Sequence, residues 1–94
     1  MNIGLDYDDT FTRDPAAWKE MIKFFTRLGH KFYLTTWRTP EECVQIQHHF
    51  IGMPITVCPT SREAKSKHMA RVHSVIIDVW IDDNPASILY DMSR

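Results

Sequence analysis

The chain has 94 residues, of which 44% are hydrophobic, so it can bury one compact core and is too short to form two. We therefore predict a single domain that covers residues 1–94. Its 11 Lys and Arg residues nearly balance its 12 Asp and Glu residues, and this net charge does not indicate nucleic acid or an anionic membrane surface as a partner.

The expected location follows from the absence of targeting and membrane signals in the sequence. No stretch approaches the roughly 20 apolar residues that cross a bilayer, and the first residues lack the basic and apolar regions of a secretion signal. Cys43 and Cys58 are not arranged as a CxxC motif and fit buried, reduced thiols. We expect a cytoplasmic protein without a membrane partner.

In chain order, short apolar runs alternate with amphipathic stretches, which is typical of parallel strands joined by helices. Residues 3–5 and 31–36 are the first two predicted strands. The helix between them begins at the Asp14-Pro15 pair, a favoured N-cap and first helical residue, and ends before Gly29. Five of its apolar side chains are predicted to enter the core: Trp18, Met21, Ile22, Phe25 and Leu28.

A second helix is predicted to begin after Thr39 and to extend to about Phe50. Thr39 is a favoured N-cap, and the Pro and two acidic residues that follow it suit the first turn of a helix. Residues 54–58 are the third predicted strand, which is short and apolar.

The last third of the chain repeats the same alternation. Thr60 or Ser61 is predicted to cap a third helix that ends at Arg71, and the fourth strand lies within residues 75–81. A final helix is predicted over residues 84–90. Parallel strands joined by right-handed helical crossovers give a three-layer α/β fold.

Polar residues follow three of the four predicted strands. Asp6-Tyr7-Asp8-Asp9-Thr10 follows the first strand, Thr36-Trp37-Arg38 ends the second, and Asp82-Asp83 follows the fourth. Ligands of parallel sheets bind at this edge, and carboxylates crowded there repel one another unless a cation neutralises them. Oxygen ligands without His or Cys favour Mg²⁺ over zinc. The sequence therefore predicts a Mg²⁺ site at this edge.

These segments resemble the four motifs of the haloacid dehalogenase superfamily of phosphatases, and they occur in the same order across residues 6–85. Motif one is Asp6-Tyr7-Asp8-Asp9-Thr10, motif two ends in Thr36, motif three is a Lys, and motif four is Asp82-Asp83. The resemblance implies a minimal Rossmann-like sandwich with a parallel sheet of about four strands in the order 3-2-1-4 and helices on both faces. Relatives commonly carry Gly where this chain has Asp9.

The resemblance implies a role for each motif carboxylate. Asp6 attacks the phosphorus and forms an aspartyl-phosphate, while Asp8 protonates the leaving oxygen and later deprotonates the hydrolytic water. Mg²⁺ is held by Asp6, by the backbone carbonyl of Asp8 and by the motif-four pair. We favour Asp83 as the direct ligand and leave Asp82 as a second ligand or one that acts through water.

Two further motif residues are expected to hold the phosphoryl group. Thr36 donates a hydrogen bond to a phosphoryl oxygen, and Lys65 neutralises negative charge on that group and on Asp6. Lys67 is the alternative motif-three residue, but about 200° separate it from Lys65 on a helical wheel, so only one of them can face the site. Thr10 is expected to brace the motif-one loop.

Trp37 and Arg38 lie at the rim of the predicted site and are the candidate substrate-binding residues. Trp37 either stacks on a substrate ring or packs against the protein. Arg38 either contacts a second phosphate or other polar group of the substrate, or forms a solvent-exposed ion pair with Glu41 or Glu42.

The chain has no room for the cap domain that covers the site in most of the superfamily. An open site suits a large substrate or a neighbouring subunit that serves as a lid, so an oligomer is left open. We expect a Mg²⁺-dependent phosphohydrolase acting on a phosphomonoester, with a nucleotide or a nucleic-acid end among the candidate substrates. The alternative is a non-catalytic module that binds phosphate or Mg²⁺ on the same fold.

A receiver domain is a competing interpretation of an acidic site on a parallel sheet. Such a domain carries its phosphoacceptor Asp at the end of the third strand, near Cys58. No Asp or Glu lies between Glu42 and Glu63. The sequence therefore disfavours a receiver domain.

Overall fold

Four short strands form one all-parallel sheet in a computed structural model that describes residues 1–92. The strands are β1 (Asn2–Leu5), β2 (Lys31–Thr36), β3 (Ile55–Pro59) and β4 (Val79–Ile81). Their order in the sheet is β3-β2-β1-β4. The predicted α/β class and strand order are therefore confirmed, although β3 begins one residue later than predicted and β4 is confined to the end of its apolar run.

The register of the sheet brings the strand ends together. Leu5, the last residue of β1, lies opposite Leu34 in β2 and Ile81 in β4. The backbone N–H of Asp6 extends the pairing by donating to the carbonyl of Ile81 at 2.9 Å. Because all strands run in one direction, the residues that follow β1, β2 and β4 meet at a single edge of the sheet.

Helix α1 (Pro15–Arg27) begins as predicted, because the Asp14 side chain accepts a hydrogen bond from the backbone N–H of Ala17 at 3.2 Å. It ends where Gly29 adopts a left-handed φ of 93°. The prediction that its whole apolar face is buried was wrong for two residues. Met21 is 40% exposed and Leu28 is 60% exposed, because the helix contacts the core along the stripe formed by Trp18, Ile22 and Phe25, and the two exposed residues lie to one side of it.

Helix α2 is shorter than predicted, since it spans Pro40–Val44 and a separate 3-10 turn covers Gln47–His49. Its capping box is formed by Thr39 and Glu42. The break lets the Phe50 ring pack on Phe11, with 4.9 Å between ring centroids. Tertiary packing of aromatic rings therefore overrides the helical periodicity of this segment.

Helix α3 (Lys65–His73) begins later than the predicted cap at Thr60 or Ser61. The backbone N–H groups of Thr60 and Ser61 donate instead to the carbonyls of Thr36 and Arg38, at 2.7 and 3.2 Å. The Asp91 carboxylate accepts from the N–H of Ala64 at 2.7 Å and so serves the start of α3 from a distant position. Helix α4 spans Ala86–Leu89.

The main core lies between the sheet and the first two helices. It combines Ile3 and Leu5 of β1 with Ile22 of α1 and Cys43 of α2, all buried. The connection through α3 crosses the sheet from β3 to β4, opposite in direction to the connections through α1 and α2. Because crossovers between parallel strands are right-handed, α3 lies on the other face of the sheet from α1 and α2. Within residues 1–92, no helix has the length and apolar character needed to cross a membrane.

Candidate active site

A cavity of about 180 Å³ lies at the carboxyl edge of β1, β2 and β4. It brings together residues that are far apart in the sequence and that the motif analysis selected. Its walls include every predicted site residue except Arg38: Asp6, Asp8, Thr36, Trp37, Lys65, Asp82 and Asp83. These residues lie close together because the register of the sheet places the ends of β1, β2 and β4 side by side.

Asp6 is a buried carboxylate at the end of β1 and is 7% exposed. Its Oδ1 accepts a hydrogen bond from Lys65 Nζ at 2.9 Å, and its Oδ2 accepts one from Thr10 Oγ1 at 3.3 Å. Burial raises the pKa of Asp6 to about 7, while the nearby Lys65 ammonium opposes the shift and Asp82 adds to it. At neutral pH Asp6 is therefore only partly ionised, and a further cation beside it would favour the carboxylate form.

Lys65 is the cation that the fold supplies to this cluster. It is the first residue of α3 and is 2% exposed, and its Nζ donates to Asp6 at 2.9 Å and to Asp82 Oδ2 at 2.5 Å. Lys67 lies on the outer side of the same helix with a side chain 57% exposed, near Glu63 and Asp91. The structure thus brings Lys65, and not Lys67, to the carboxylates.

The two carboxylates after β4 are held in different ways. Asp82 Oδ1 accepts from the backbone N–H of Asn84 at 2.9 Å, and its Oδ2 accepts from Ser87 Oγ at 3.2 Å in addition to Lys65. Asp83 Oδ1 lies 3.1 Å from Thr10 Oγ1, whose one proton serves either Asp83 or Asp6. Within residues 1–92, Asp83 otherwise hydrogen-bonds only to Asp6 and to its own backbone N–H. Asp83 therefore has the freer carboxylate, and it stays the predicted direct metal ligand.

The residues of this cluster fit a hard divalent cation. Carboxylate oxygens of Asp6, Asp82 and Asp83 lie within 4.8 Å of one another, and all-oxygen ligation is what Mg²⁺ prefers. Hydrogen bonding to Asp6 lowers the pKa of Asp83, so the two carboxyls are coupled. Three carboxylates against the single Lys65 ammonium leave an excess of negative charge that a divalent ion would neutralise.

Thr36, at the end of β2, and Thr10, in the loop after β1, support the site. Thr36 is 1% exposed at the end of β2, and its Oγ1 accepts from the backbone N–H of Arg38 at 3.3 Å. The proton of the Thr36 hydroxyl is therefore left for an acceptor in the cavity. Thr10 links motif one to motif four, because its Oγ1 also accepts from the N–H of Asp83 at 3.2 Å. This is the bracing role predicted for Thr10.

Asp8 differs from the other carboxylates because it lies outside the buried cluster. Its side chain is 55% exposed and forms a two-pronged ion pair with Arg38. Arg38 Nε lies 3.1 Å from Asp8 Oδ2, and Nη2 lies 2.9 Å from Oδ1. The alternative pairing of Arg38 with Glu41 or Glu42 was wrong, because Arg38 pairs with Asp8, while the Glu42 carboxylate contacts Arg62 at 2.7 Å.

Trp37 lines the cavity but is partly buried, and its Nε1 atom is buried without a hydrogen-bond partner within residues 1–92. Stacking of Trp37 on a substrate stays a prediction. Ser87 was missed by the sequence analysis, although it is 3% exposed and its hydroxyl contacts Asp82. The sequence did carry a signal for Ser87, because its hydroxyl lies five residues after Asp82, on the helix that follows this carboxylate.

Comparison of the chain with family models, with curated proteins and with solved structures returns no match. The relation to the haloacid dehalogenase superfamily therefore stays a prediction that rests on the motifs and their order. The geometry of the cavity is an independent basis for inferring function.

Proposed function

We propose that the chain is a Mg²⁺-dependent phosphohydrolase that cleaves phosphomonoesters through an aspartyl-phosphate formed on Asp6. The observation that carries the proposal is the buried Asp6 carboxylate, which Lys65 contacts at 2.9 Å beside a cavity that Asp8 and Thr36 also line. A nucleophile, a second carboxylate and phosphate-binding donors then converge on one small space, as acyl-phosphate chemistry requires.

The first half of the reaction uses Asp6 and Asp8. A carboxylate oxygen of Asp6 attacks the phosphorus, the bond from phosphorus to the ester oxygen breaks, and Asp8 gives its proton to the departing oxygen. In the second half, Asp8 takes a proton from water as the water attacks the phosphorus. Inorganic phosphate leaves, and Asp6 returns to the carboxylate form.

Lys65 and Thr36 stabilise the charge that develops on the phosphoryl oxygens. Lys65 also favours the ionised form of Asp6, which is the form that attacks. Asp6 and Asp83 would hold Mg²⁺, together with the backbone carbonyl of Asp8 and with Asp82 directly or through water. When bound, Mg²⁺ supplies neutralisation of the phosphoryl charge and brings the substrate next to Asp6.

The substrate is proposed by chemical class only. The cavity is small and open, with room for a phosphoryl group, and the remainder of the substrate would lie outside it near Trp37. A nucleotide or nucleic-acid end stays among the candidates, because an aromatic ring at the rim can stack on a base. A cytoplasmic location is proposed on the two free buried thiols, Cys43 and Cys58.

Turnover of p-nitrophenyl phosphate by the wild type, with and without Mg²⁺, tests the proposal. Asp6→Asn should abolish turnover without loss of the folded circular dichroism spectrum, because the amide is nearly isosteric with the carboxyl. Asp9→Asn is the matched control, since Asp9 lies in the same loop and is exposed. Activity that survives in D6N, or that is absent from the wild type with Mg²⁺, would refute the proposal.

A second candidate is a non-catalytic module that binds phosphate or Mg²⁺ with the same residues. It is favoured by one observation: both oxygens of Asp8, the proposed acid, accept hydrogen bonds from Arg38. Calorimetry with Mg²⁺ and inorganic phosphate separates the two candidates. Binding by a wild-type protein that turns over no phosphomonoester would support the module.

A further inference from the structure

Arg38 is held in place by contacts on several sides. Its guanidinium carbon lies 5.3 Å from the centre of the Tyr7 ring, and Nη1 donates to the backbone carbonyl of Glu42 at 3.4 Å. Its backbone N–H is tied to Thr36 Oγ1, and its side chain is 24% exposed. A long side chain with this many contacts loses most of its rotational freedom, so it can serve as a fixed support.

Asp8 has no comparable support of its own. Its side chain is 55% exposed, and within residues 1–92 the Arg38 guanidinium is the only side chain that hydrogen-bonds its carboxylate. The next residue, Asp9, adopts a left-handed φ of 60°, so the chain turns sharply just after Asp8. Without Arg38, the Asp8 side chain would be free to change rotamer in solvent.

Arg38 lies behind Asp8 when viewed from the candidate active site. Asp8 and Trp37 line both the active-site cavity and a neighbouring cavity, whereas Arg38 lines only the neighbouring one, together with Glu42 and Arg62. Arg38 thus reaches the active site through the Asp8 carboxylate. This placement separates Arg38 from Lys65, which lines the active-site cavity directly.

We propose that Arg38 is a positioning residue that aims the Asp8 carboxylate at the leaving-group oxygen, rather than a residue that binds the phosphoryl group. The inference rests on the proposed phosphohydrolase function and goes beyond it. A guanidinium that donates to both carboxylate oxygens fixes the plane of the carboxyl as well as its position. Each oxygen keeps a second lone pair, which can carry the proton for the leaving group. Lys would keep the charge but lose this control, because its ammonium is a single point donor.

The proposal is tested with a series of phosphomonoesters of decreasing leaving-group acidity, from p-nitrophenyl through phenyl to alkyl phosphate. A p-nitrophenolate leaves without a proton, whereas an alkoxide needs one from Asp8. Arg38→Ala should therefore leave kcat/KM for p-nitrophenyl phosphate nearly unchanged. It should lower kcat/KM for the alkyl phosphate by about 100-fold, the lower end of what general acid catalysis contributes. R38K should show the same trend more weakly.

Three controls separate positioning from other roles. Arg62→Ala removes an equal charge from the same neighbouring cavity but leaves the Asp8 pair intact, since Arg62 pairs with Glu42. Any effect of R62A should be equal across the series. In a D8N background, R38A should have no further effect on any ester. Inhibition by inorganic phosphate should be as strong in R38A as in the wild type.

The outcomes distinguish this inference from the proposed function. A wild type that hydrolyses no ester overturns the proposed function and this inference together. An active wild type whose R38A variant slows every ester equally, or binds inorganic phosphate much more weakly, overturns the inference alone. If R38A loses its folded circular dichroism spectrum, R38K and Arg38→Gln test the inference instead. In these variants too, the loss of kcat/KM should grow as the leaving group becomes less acidic. Recovery of alkyl phosphate hydrolysis by R38A in millimolar methylguanidinium would support the inference.

Discussion

Two groups of ion pairs at the carboxyl edge of the sheet differ in their access to water. The inner group joins Lys65 to Asp6 and Asp82. The side chains of Lys65 and Asp82 are 2% exposed, and that of Asp6 is 10% exposed. The outer group joins Arg38 to Asp8, with side chains 24% and 55% exposed, and Arg62 to Glu42, with both side chains 40% exposed.

Water access decides what each group can do. Buried charges lose their hydration, so the charged form of each member of the inner group is stabilised mainly by its partners. A change of charge during a reaction there therefore has a large electrostatic effect on the neighbouring groups. Exposed pairs contribute little to stability because water and salt screen them, yet they can still fix the direction of a side chain. The inner group thus suits charge stabilisation, and the outer group suits orientation.

The largest effect is expected for Lys65→Met, which removes the only cation that contacts Asp6 and Asp82 within residues 1–92. Breaking a buried ion pair from one side typically costs about 3–5 kcal/mol, because the remaining charges stay buried and unpaired. Urea denaturation in EDTA, at a pH above the Asp6 pKa of about 7, should show a loss of unfolding free energy in this range.

Lys67→Met is the matched control for this variant. Lys67 lies on the same helix two residues further on, and its side chain is 57% exposed. Its substitution should change the free energy of unfolding by no more than about 0.5 kcal/mol, as is usual for surface positions. Equal destabilisation by K65M and K67M would contradict the contrast between the buried and exposed groups.

The second effect concerns Mg²⁺ and the inner carboxylates. A ligand that binds only the folded state stabilises it by about 2.7 kcal/mol when present at about 100 times its Kd. Asp83→Ala should erase most of this gain, because it removes the freest carboxylate of the cluster. Asp9→Asn should keep it, since Asn tolerates the left-handed φ of 60° at that position. A wild-type Tm that is unchanged by millimolar Mg²⁺ would count against the site.

The third effect is a pH dependence that arises from Asp6. Burial raises the pKa of Asp6 from its ordinary value of 3.8 to about 7 in the folded chain, so the folded chain binds one more proton than the unfolded chain between these values. Stability without Mg²⁺ therefore falls as pH rises from 3.8 towards 7 and levels off above it. The loss attributable to Asp6 between about pH 6 and 7 is about 1 kcal/mol.

Comparison of the wild type with D6N in EDTA isolates this contribution between about pH 6 and 7. The carboxyl coupled to Asp6, Asp83, has a pKa below its ordinary value and is ionised in that window. The difference between the two free energies of unfolding should change with pH in the stated window. Parallel pH profiles for the two proteins would mean that Asp6 keeps an ordinary pKa in the folded chain.

Local sequence signals were sufficient for the parts of the fold that depend on local chemistry. Strand β2 matches its prediction at both ends, and helix α1 begins at the Asp14-Pro15 signal. The strand-end carboxylates were found in the same way, because residues that follow parallel strands must meet at one edge. Lys65 was preferred to Lys67 because it lies at the start of its predicted helix, and the structure places Lys65 at Asp6.

The features that were missed depend on residues far apart in the chain. Helix α3 begins at Lys65 because the Ala64 N–H is satisfied by Asp91, which lies 27 residues away. The ion pair between Asp8 and Arg38 joins residues 30 positions apart. No local pattern distinguishes Asp8 from Glu42 as the partner of Arg38, because either pairing suits an exposed guanidinium.

The smallest effect is expected for the outer pair formed by Glu42 and Arg62. A hydrogen bond from Arg62 lowers the pKa of Glu42 from its ordinary value of 4.5 to about 2. A depressed carboxyl pKa gives stability that is present above pH 4.5 and is lost as pH falls towards 2.

Glu42→Gln removes the charge but keeps an acceptor for the backbone N–H of Thr39, so the helix cap survives. In urea denaturation, E42Q should therefore be slightly less stable than the wild type at neutral pH, and the difference should vanish in acid or in high salt. A loss as large as that of K65M, or one that salt does not reduce, would mean that this pair is shielded from water like the inner group.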